Sequence, residues 1–188
     1  MPVEVVPYSE SWPEQFELVA ADLRRAVAGM TSALVEHVGS TSVPGLAAKP
    51  VIDIDIIVDS GEVPAAIAAL EAIGYVHRGD LGIAGREAFF PPDENPKRNV
   101  YVCTDGSLNL RNHLAVRDVL RKRPDLRDEY GDVKLALAAD PEMDIDTYLD
   151  AKSPTLQRIL AEAEMSEDDR DQILRLNQQS FDRDDPDA

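Results

Sequence analysis

The chain has 188 residues, which fits one domain and is long enough to bury a substantial core. Acidic residues outnumber basic ones by 36 to 19, and the net charge of −17 disfavours nucleic acid and anionic membranes as partners. Cys103 is the single cysteine, so no internal disulfide can form. The sequence shows no secretory leader pattern and no apolar run near the roughly twenty residues of a membrane helix. We therefore expect a soluble, cytoplasmic protein.

The first half of the chain alternates predicted helices and strands. Apolar residues at helical spacing predict a helix over residues 12–28, and an Ala-rich stretch predicts another over residues 61–74. Short apolar runs bounded by turn residues predict strands over residues 3–6, 35–38, 51–58, 75–77, 81–84, 87–90 and 99–103. Because short turns join the later strands, we expect antiparallel neighbours, and hence a mixed or antiparallel sheet.

The second half of the chain is predicted to be helical. Its helices are expected over residues 108–122, 125–139 and 144–164. An acidic amphipathic helix from residue 166 to about residue 181 follows, and residues 183–188 are expected to be a disordered tail. We therefore predict an α+β domain over residues 1–165, in which helices back the sheet, and an acidic helix with its tail over residues 166–188.

Two carboxylates, Asp53 and Asp55, interrupt the apolar run of residues 51–58. Because the side chains of a strand alternate between its faces, residues two apart project the same way. Burying two unpaired like charges would cost several kcal/mol. A divalent metal removes this repulsion, since Mg²⁺ is often held by one or two carboxylates together with substrate phosphates. We predict that Asp53 and Asp55 bind Mg²⁺ or Mn²⁺.

A turn of small residues, Gly39-Ser40-Thr41-Ser42, precedes the carboxylate strand. Its backbone N–H groups and its hydroxyls suit a phosphate anion. Gly-Ser alone is an ordinary turn, and it gains meaning here from the carboxylate pair a short loop later. Thr41 and Ser42 either assist in binding phosphate or simply cap the turn.

Together these motifs resemble the signature of the nucleotidyltransferase superfamily, in which Gly-Ser is followed by Asp-hydrophobic-Asp-hydrophobic. The fuller string HVGSTSVPGLAAKPVIDI resembles the GrpB family of nucleotidyltransferase-like proteins. The resemblance implies an α+β nucleotidyltransferase fold with a mixed sheet and a helical C-terminal half. It also implies that Gly39 and Ser40 seat a nucleoside triphosphate, and that Asp53 and Asp55 are the catalytic metal ligands.

The resemblance implies phosphate-binding roles for five basic residues, which are Lys49, Arg86, Arg117, Lys134 and Lys152. Lys49 has the alternative of pairing with an aspartate, and Arg86 that of an arginine in a surface turn. In a chain this acidic, the five side chains have to converge to hold a triphosphate. His113 also matches a family segment, and we expect it to pack its helix rather than to act as a base.

One strand departs from the family pattern. GrpB proteins tend to carry a strand that ends His-Leu-His-Val, where other nucleotidyltransferases usually place a third carboxylate. The corresponding segment from Arg98 to Val102 contains no histidine, and Tyr101 stands where the last one would be. Because tyrosine is a poor Mg²⁺ ligand, the third position of the site stays open.

Two functions therefore remain in view. The first is a metal-dependent nucleotidyltransferase that moves a nucleotidyl group from an NTP to a small-molecule acceptor. The second is a non-catalytic accessory module that binds nucleotides or CoA precursors, since GrpB domains also occur fused to dephospho-CoA kinase. A protein-binding scaffold with a relic site is a third possibility. The sequence leaves the acceptor, the preferred base and the oligomeric state open.

Overall fold

The computed structural model describes residues 4–140 and 145–179, which form a five-stranded sheet and six α-helices. The strands are β1 (Leu34–Val38), β2 (Ile52–Val58), β3 (Val76–Gly79), β4 (Arg86–Phe90) and β5 (Arg98–Thr104). The helices are α1 (Trp12–Ala26), α2 (Val63–Ala72), α3 (Leu108–Lys122), α4 (Pro124–Ala138), α5 (Ile145–Glu162) and α6 (Glu167–Gln179). No helix in this described part of the chain has the length and apolar character needed to cross a membrane.

The strands follow the order β1-β2-β5-β4-β3 across the sheet. β2 pairs with β5 in parallel, whereas the other three neighbouring pairs are antiparallel. The predicted mixed sheet in an α+β fold is therefore confirmed. β2, which carries the two aspartates, is covered on both edges by β1 and β5.

The alternation of side chains along β2 gives the sheet two different faces. Ile52, Ile54, Ile56 and Val58 are fully buried and pack against α1 and α2 in the main core. Burying apolar side chains of this size stabilises the fold by roughly 1.5–3 kcal/mol each. The intervening residues of β2 face the opposite side, toward the C-terminal helices. The same strand therefore anchors the core and presents the carboxylates.

The C-terminal helices cover the carboxylate face of the sheet only in part. Leu110 of α3 packs on Ile57 and Cys103, so α3 lies against the sheet. α4 and α5 pack on α3 and on each other. The loop after the Gly-Ser turn joins this layer through Leu46, which belongs to a buried cluster with Ile159 of α5. This packing holds α4 and α5 above the turn.

The strand predicted over residues 81–84 is wrong, because this segment is a turn. Leu81, Gly82 and Gly85 all have positive φ angles, of 48°, 73° and 77°. Extended strands require negative φ, so three such residues within a short segment exclude a strand.

The predictions at the two chain ends are only partly covered by the structure. Within the predicted strand over residues 3–6, Val6 forms an isolated antiparallel bridge with Ala48, and residue 3 lies outside the described residues. The predicted acidic helix is present as α6. The expected end of that helix at residue 181 and the tail over residues 183–188 lie outside the described residues.

Candidate active site

The register of the sheet fixes the surroundings of both aspartates. Asp53 lies between Val38 of β1 and Asn99 of β5. Asp55 lies between Glu36 and Tyr101. Residues directly opposite each other in a sheet share a face, so both carboxylates and Tyr101 project toward the C-terminal helices. This face therefore combines charged and hydrogen-bonding groups.

The backbone of Gly39 packs closely against Asp53. Its φ and ψ angles of 68° and −174° lie in a region that essentially only glycine adopts. A Cβ atom at this position would lie 2.1 Å from Oδ2 of Asp53. The turn can therefore press its backbone against the carboxylate only because residue 39 has no side chain.

The hydroxyls of the turn have different partners. Ser42 donates its hydroxyl hydrogen to the Gly39 carbonyl, with an oxygen–oxygen distance of 2.7 Å, so it caps the turn. Thr41 donates to the Val51 carbonyl over 3.2 Å and tethers the turn to the start of the carboxylate strand. Both side chains are buried. Of the two roles open for Ser42 and Thr41, capping and tethering are the ones that these contacts support.

His37 supports the turn from below. Its Nε2 lies 3.0 Å from Oγ1 of Thr41, and its ring stacks on Phe16 with centroids 4.6 Å apart. Burial, together with the nearby charges of Arg121 and Arg117, lowers the pKa of His37 to about 4. The ring is therefore neutral at neutral pH. Because Thr41 donates to a carbonyl, its oxygen accepts the Nε2–H of this neutral ring.

A cavity of about 420 Å³ opens between the turn, Asp53 and the two helices α4 and α5. Its lining includes Ser40, Asp53 and the aromatic ring of Tyr148. Among the described residues of its lining, six side chains are cationic, which are Lys49, Arg78, Lys97, Arg98, Lys134 and Lys152. The acidic side chains among these described residues are Asp53 and Glu94. In a protein with a net charge of −17, this local positive excess indicates a site for an anion.

Three lysines form the cationic wall of the cavity. Lys134 is buried, and its Nζ donates a hydrogen bond to Oγ of Ser40 over 2.9 Å. The Nζ atoms of Lys49 and Lys152 lie 5.3 and 5.4 Å from the centroid of the Tyr148 ring. These cation–π contacts position the two amines without neutralising them.

The protonation of these three lysines is costly, because each amine is buried near another positive charge. Burial, reinforced by the charge of Lys152, lowers the pKa of Lys134 to about 7. Burial and the charge of Lys49 lower the pKa of Lys152 to about 8. The pKa of Lys49 is also lowered, chiefly by burial. A bound anion would favour the charged form of each amine and relieve this repulsion.

The structure brings together three of the five basic candidates. Lys49, Lys134 and Lys152 meet at the cavity, but the other two do not line it. Arg117 pairs with Glu36 over 2.6 Å and with Asp118 over 2.8 Å, because α3 places it beside the exterior strand β1. Arg86 lies further along the sheet, with its guanidinium carbon 4.7 Å from the centroid of the Tyr101 ring.

His113 contacts a carboxylate instead of only packing its helix, which corrects the sequence-based expectation. Its Nδ1 donates to Oδ2 of Asp55 over 2.7 Å, and the Asp55 side chain is completely buried. Burial disfavours the imidazolium, but the charges of Asp55 and Asp53 and this hydrogen bond raise the pKa of His113 above its ordinary value. The family segment around residue 113 was the only sequence signal for this role.

Asn99 is a site residue that the sequence analysis did not identify. Its Nδ2 donates to Oδ1 of Asp53 over 2.8 Å. Burial raises the pKa of Asp53, and this hydrogen bond partly offsets the increase. Asn99 lies two residues before Tyr101 on β5, and the alternation of strand side chains puts both on one face. This spacing is the sequence signal that could have identified Asn99.

The donor atoms at the carboxylates fit a divalent cation that takes further ligands from a substrate. Within the described residues, no group of three or more His, Cys, Asp or Glu side chains forms a metal cage. However, Oδ1 of Asp55 is buried and has no hydrogen-bond partner in the part of the chain that the structure describes. Mg²⁺ requires hard oxygen ligands and commonly completes its shell with phosphate oxygens and water. Two carboxylates on one face, one with a free oxygen, meet that requirement.

Replacing Gly39 with alanine tests the close approach of the turn to Asp53. We expect Gly39→Ala to lower the free energy of unfolding by at least about 1–3 kcal/mol, because the new Cβ enforces both a strained φ and a clash with Asp53. Urea denaturation measures this loss. Gly29→Ala is the matched control, since a Cβ there meets nothing within 4 Å. Equal effects of the two substitutions would contradict the assigned geometry.

Removing His113 tests its pairing with Asp55. We expect His113→Ala to destabilise the fold by about 3–5 kcal/mol, because it leaves the buried carboxylate without its partner. In an Asp55→Asn background the same substitution should cost clearly less, and chemical denaturation of the four proteins in this cycle gives the coupling. Additive losses would show that His113 only packs its helix.

Comparison with known proteins finds bacterial relatives that match most of this chain. The UPF0157 protein YqkA of Bacillus subtilis is 36% identical over 80% of this chain, which spans 44% of YqkA. A UPF0157 protein of Halalkalibacterium halodurans is 37% identical over 86% of this chain, which spans 82% of that relative. A dephospho-CoA kinase of Mycolicibacterium paratuberculosis is 31% identical over 81% of this chain, which spans 44% of the kinase.

Solved structures and a family description agree with these relatives. The crystal structure of GrpB from Enterococcus faecalis has 36% identity and a TM-score of 0.72, with 85% of this chain and 96% of that chain covered. The Cid1 poly(U) polymerase in its MgGTP-bound form has 15% identity and a TM-score of 0.50 over 69% of this chain and 42% of that chain, so the two chains share a fold. The family model described as "GrpB protein" matches residues 2–162, so the chain belongs to the GrpB family.

Proposed function

We propose that this protein is a metal-dependent nucleotidyltransferase that transfers a nucleotidyl group from an NTP to a small-molecule acceptor. The observation that carries this proposal is the cavity in which Asp53 faces the amines of Lys49, Lys134 and Lys152. A metal–triphosphate complex has the complementary arrangement, with a cation beside a chain of anionic oxygens. Residues 1–165 contain every side chain of the proposed site, and residues 166–188 add an acidic segment.

Each group of the proposed site has a role in this proposal. Asp53 and Asp55 hold Mg²⁺ or Mn²⁺, which when bound neutralises phosphate charge in the transition state. The turn at Gly39 and Ser40 and the three lysines bind the triphosphate. The acceptor hydroxyl oxygen forms a bond to the α-phosphorus while the bond to the bridging β-phosphate oxygen breaks. Pyrophosphate leaves, and the hydroxyl proton passes to water.

The shared fold and the charge of the chain both support this proposal. The Cid1 polymerase of the same fold is described in an MgGTP-bound form, and we extend metal–nucleotide binding to this chain. A polynucleotide acceptor is disfavoured, because a protein with a net charge of −17 repels an anionic polymer along most of its surface. A small acceptor that enters the cationic cavity avoids that repulsion, and the NTP donor fits a cytoplasmic location.

Neutralising each aspartate tests the proposed metal ligands. We expect Asp53→Asn and Asp55→Asn each to reduce pyrophosphate release by at least about a hundredfold, because a neutral amide binds Mg²⁺ weakly. The assay uses the four NTPs with a panel of small hydroxyl-bearing acceptors. Lys122→Ala, at an exposed position of α3, is the control and should keep full activity. Unchanged release in both aspartate variants would refute the assignment.

The lysine wall predicts that anion binding weakens as pH rises. Because a bound anion favours protonated amines, binding takes up protons once Lys134 and Lys152 begin to lose theirs, near pH 7 and pH 8. We expect sulfate affinity to fall about tenfold between about pH 6 and pH 9, since sulfate keeps its charge across this range. Calorimetry in buffers of different ionisation enthalpy detects the proton uptake. A Lys134→Met/Lys152→Met variant should lose the dependence, and a flat wild-type profile would contradict it.

A second candidate function is a non-catalytic module that binds nucleotides or CoA precursors. The dephospho-CoA kinase relative favours it, as does the absence of a carboxylate at Asn99 and Tyr101 on β5. Calorimetry with Mg·NTP and with CoA precursors separates the two functions. Saturable binding without pyrophosphate release would support the module, and release above the level of the aspartate variants would support the enzyme.

A further inference from the structure

A second recess of about 270 Å³ lies beside the main cavity, on the β4 side of the carboxylate face. Arg78, Arg86, Asn99 and Tyr101 contribute to its lining. Arg78 and Asn99 also line the main cavity, so the two spaces adjoin. The amide of Asn99 donates to Asp53, which places a carboxylate of the proposed site at this boundary.

The recess is built for an anion. Two guanidinium groups line it, and the described part of its lining includes no acidic side chain. The guanidinium of Arg86 lies over the Tyr101 ring, which fixes its position. Its Nε is buried and has no hydrogen-bond partner among the described residues. A buried donor of this kind is costly to leave unsatisfied, and an oxyanion can accept its hydrogen.

The sheet places these groups in a defined order. β5 lies between β2 and β4, with Tyr101 opposite Asp55 on one side and opposite Ala88 on the other. Arg86 follows on the same face of β4, two residues from Ala88. A molecule held by Arg86 therefore lies across β5 from the two carboxylates, on the side away from the Gly-Ser turn.

We propose that this recess is the acceptor subsite, and that the acceptor carries an anionic oxygen group, a phosphate or a carboxylate, which Arg86 and Arg78 bind. The acceptor role of the recess rests on the nucleotidyl transfer proposed above, whereas the anion site itself does not. Guanidinium forks match the paired oxygens of both groups. With its anionic group in the recess, the acceptor extends past Asn99 toward Asp53, where its hydroxyl meets the nucleotide.

Inorganic phosphate probes the anion site without any turnover. The full chain with Lys134→Met/Lys152→Met serves as background, because these substitutions remove two of the amines that bind anions in the main cavity. We expect phosphate to bind this background in calorimetry, and Arg86→Met added to it to weaken binding roughly tenfold to a hundredfold. Arg25→Met, at an exposed position of α1 on the other face of the sheet, is the matched control and should have no effect.

Arg86→Lys guards against misfolding of the Met variant. It keeps one charge and should retain part of the phosphate affinity, while circular dichroism shows whether each variant is folded. If phosphate does not bind the background, or if a folded Arg86→Met protein binds it unchanged, the anion site is refuted. These outcomes do not depend on NTP turnover, so they are separate from a failure of the proposed function.

Kinetics then test the acceptor role. Matched acceptors with a phosphate, a carboxylate or a neutral group are compared in the pyrophosphate assay. We expect turnover to require an anionic group, and Arg86→Met to raise the acceptor KM about tenfold or more while leaving the NTP KM unchanged. The ratio of the two anionic acceptors distinguishes phosphate from carboxylate. Equal turnover of neutral acceptors, or a raised NTP KM alone, would overturn the acceptor role.

Discussion

Two carboxylates lie two residues apart on a strand that is covered on both edges, and the surrounding groups of the site compensate their negative charge. Asp55 is completely buried and is paired on one oxygen with His113. Asp53 accepts a hydrogen bond from Asn99 and faces lysines across the cavity. Burying a charge without a partner costs several kcal/mol, so these contacts are conditions for the fold as well as features of the site.

The other wall of the cavity carries an excess of positive charge. Burial lowers the pKa values of Lys134 and Lys152, and the charge of Lys152 adds to the effect at Lys134, as the charge of Lys49 does at Lys152. A ligand that brings a cation to the carboxylates and phosphates to the amines compensates the negative charge of the first and the positive charge of the second. The packing of Leu46 against Ile159 matters here, because it holds the lysine-bearing helices above the Gly-Ser turn. The site is therefore preorganised for charge that only a ligand supplies.

The sequence predicted the parts of the site that depend on local structure. Strand alternation alone placed Asp53 and Asp55 on one face. The small residues of the turn predicted a phosphate site, but not the close approach of Gly39 to Asp53. The contacts that the sequence missed depend on packing between distant segments. His113 and Arg117 belong to one helix, yet only the orientation of α3 against the sheet sends the first to Asp55 and the second to Glu36.

The proposed function requires a metal–nucleotide complex to bind between the carboxylates and the lysine wall. Crystals grown with Mn²⁺ and a non-hydrolysable NTP analogue test it most directly, because the anomalous signal of manganese locates the metal. We predict a peak bound by Asp53 and Asp55, with the phosphates against Lys134 and Lys152. A nucleotide bound elsewhere, or a metal away from both aspartates at saturating concentrations, would contradict this binding mode.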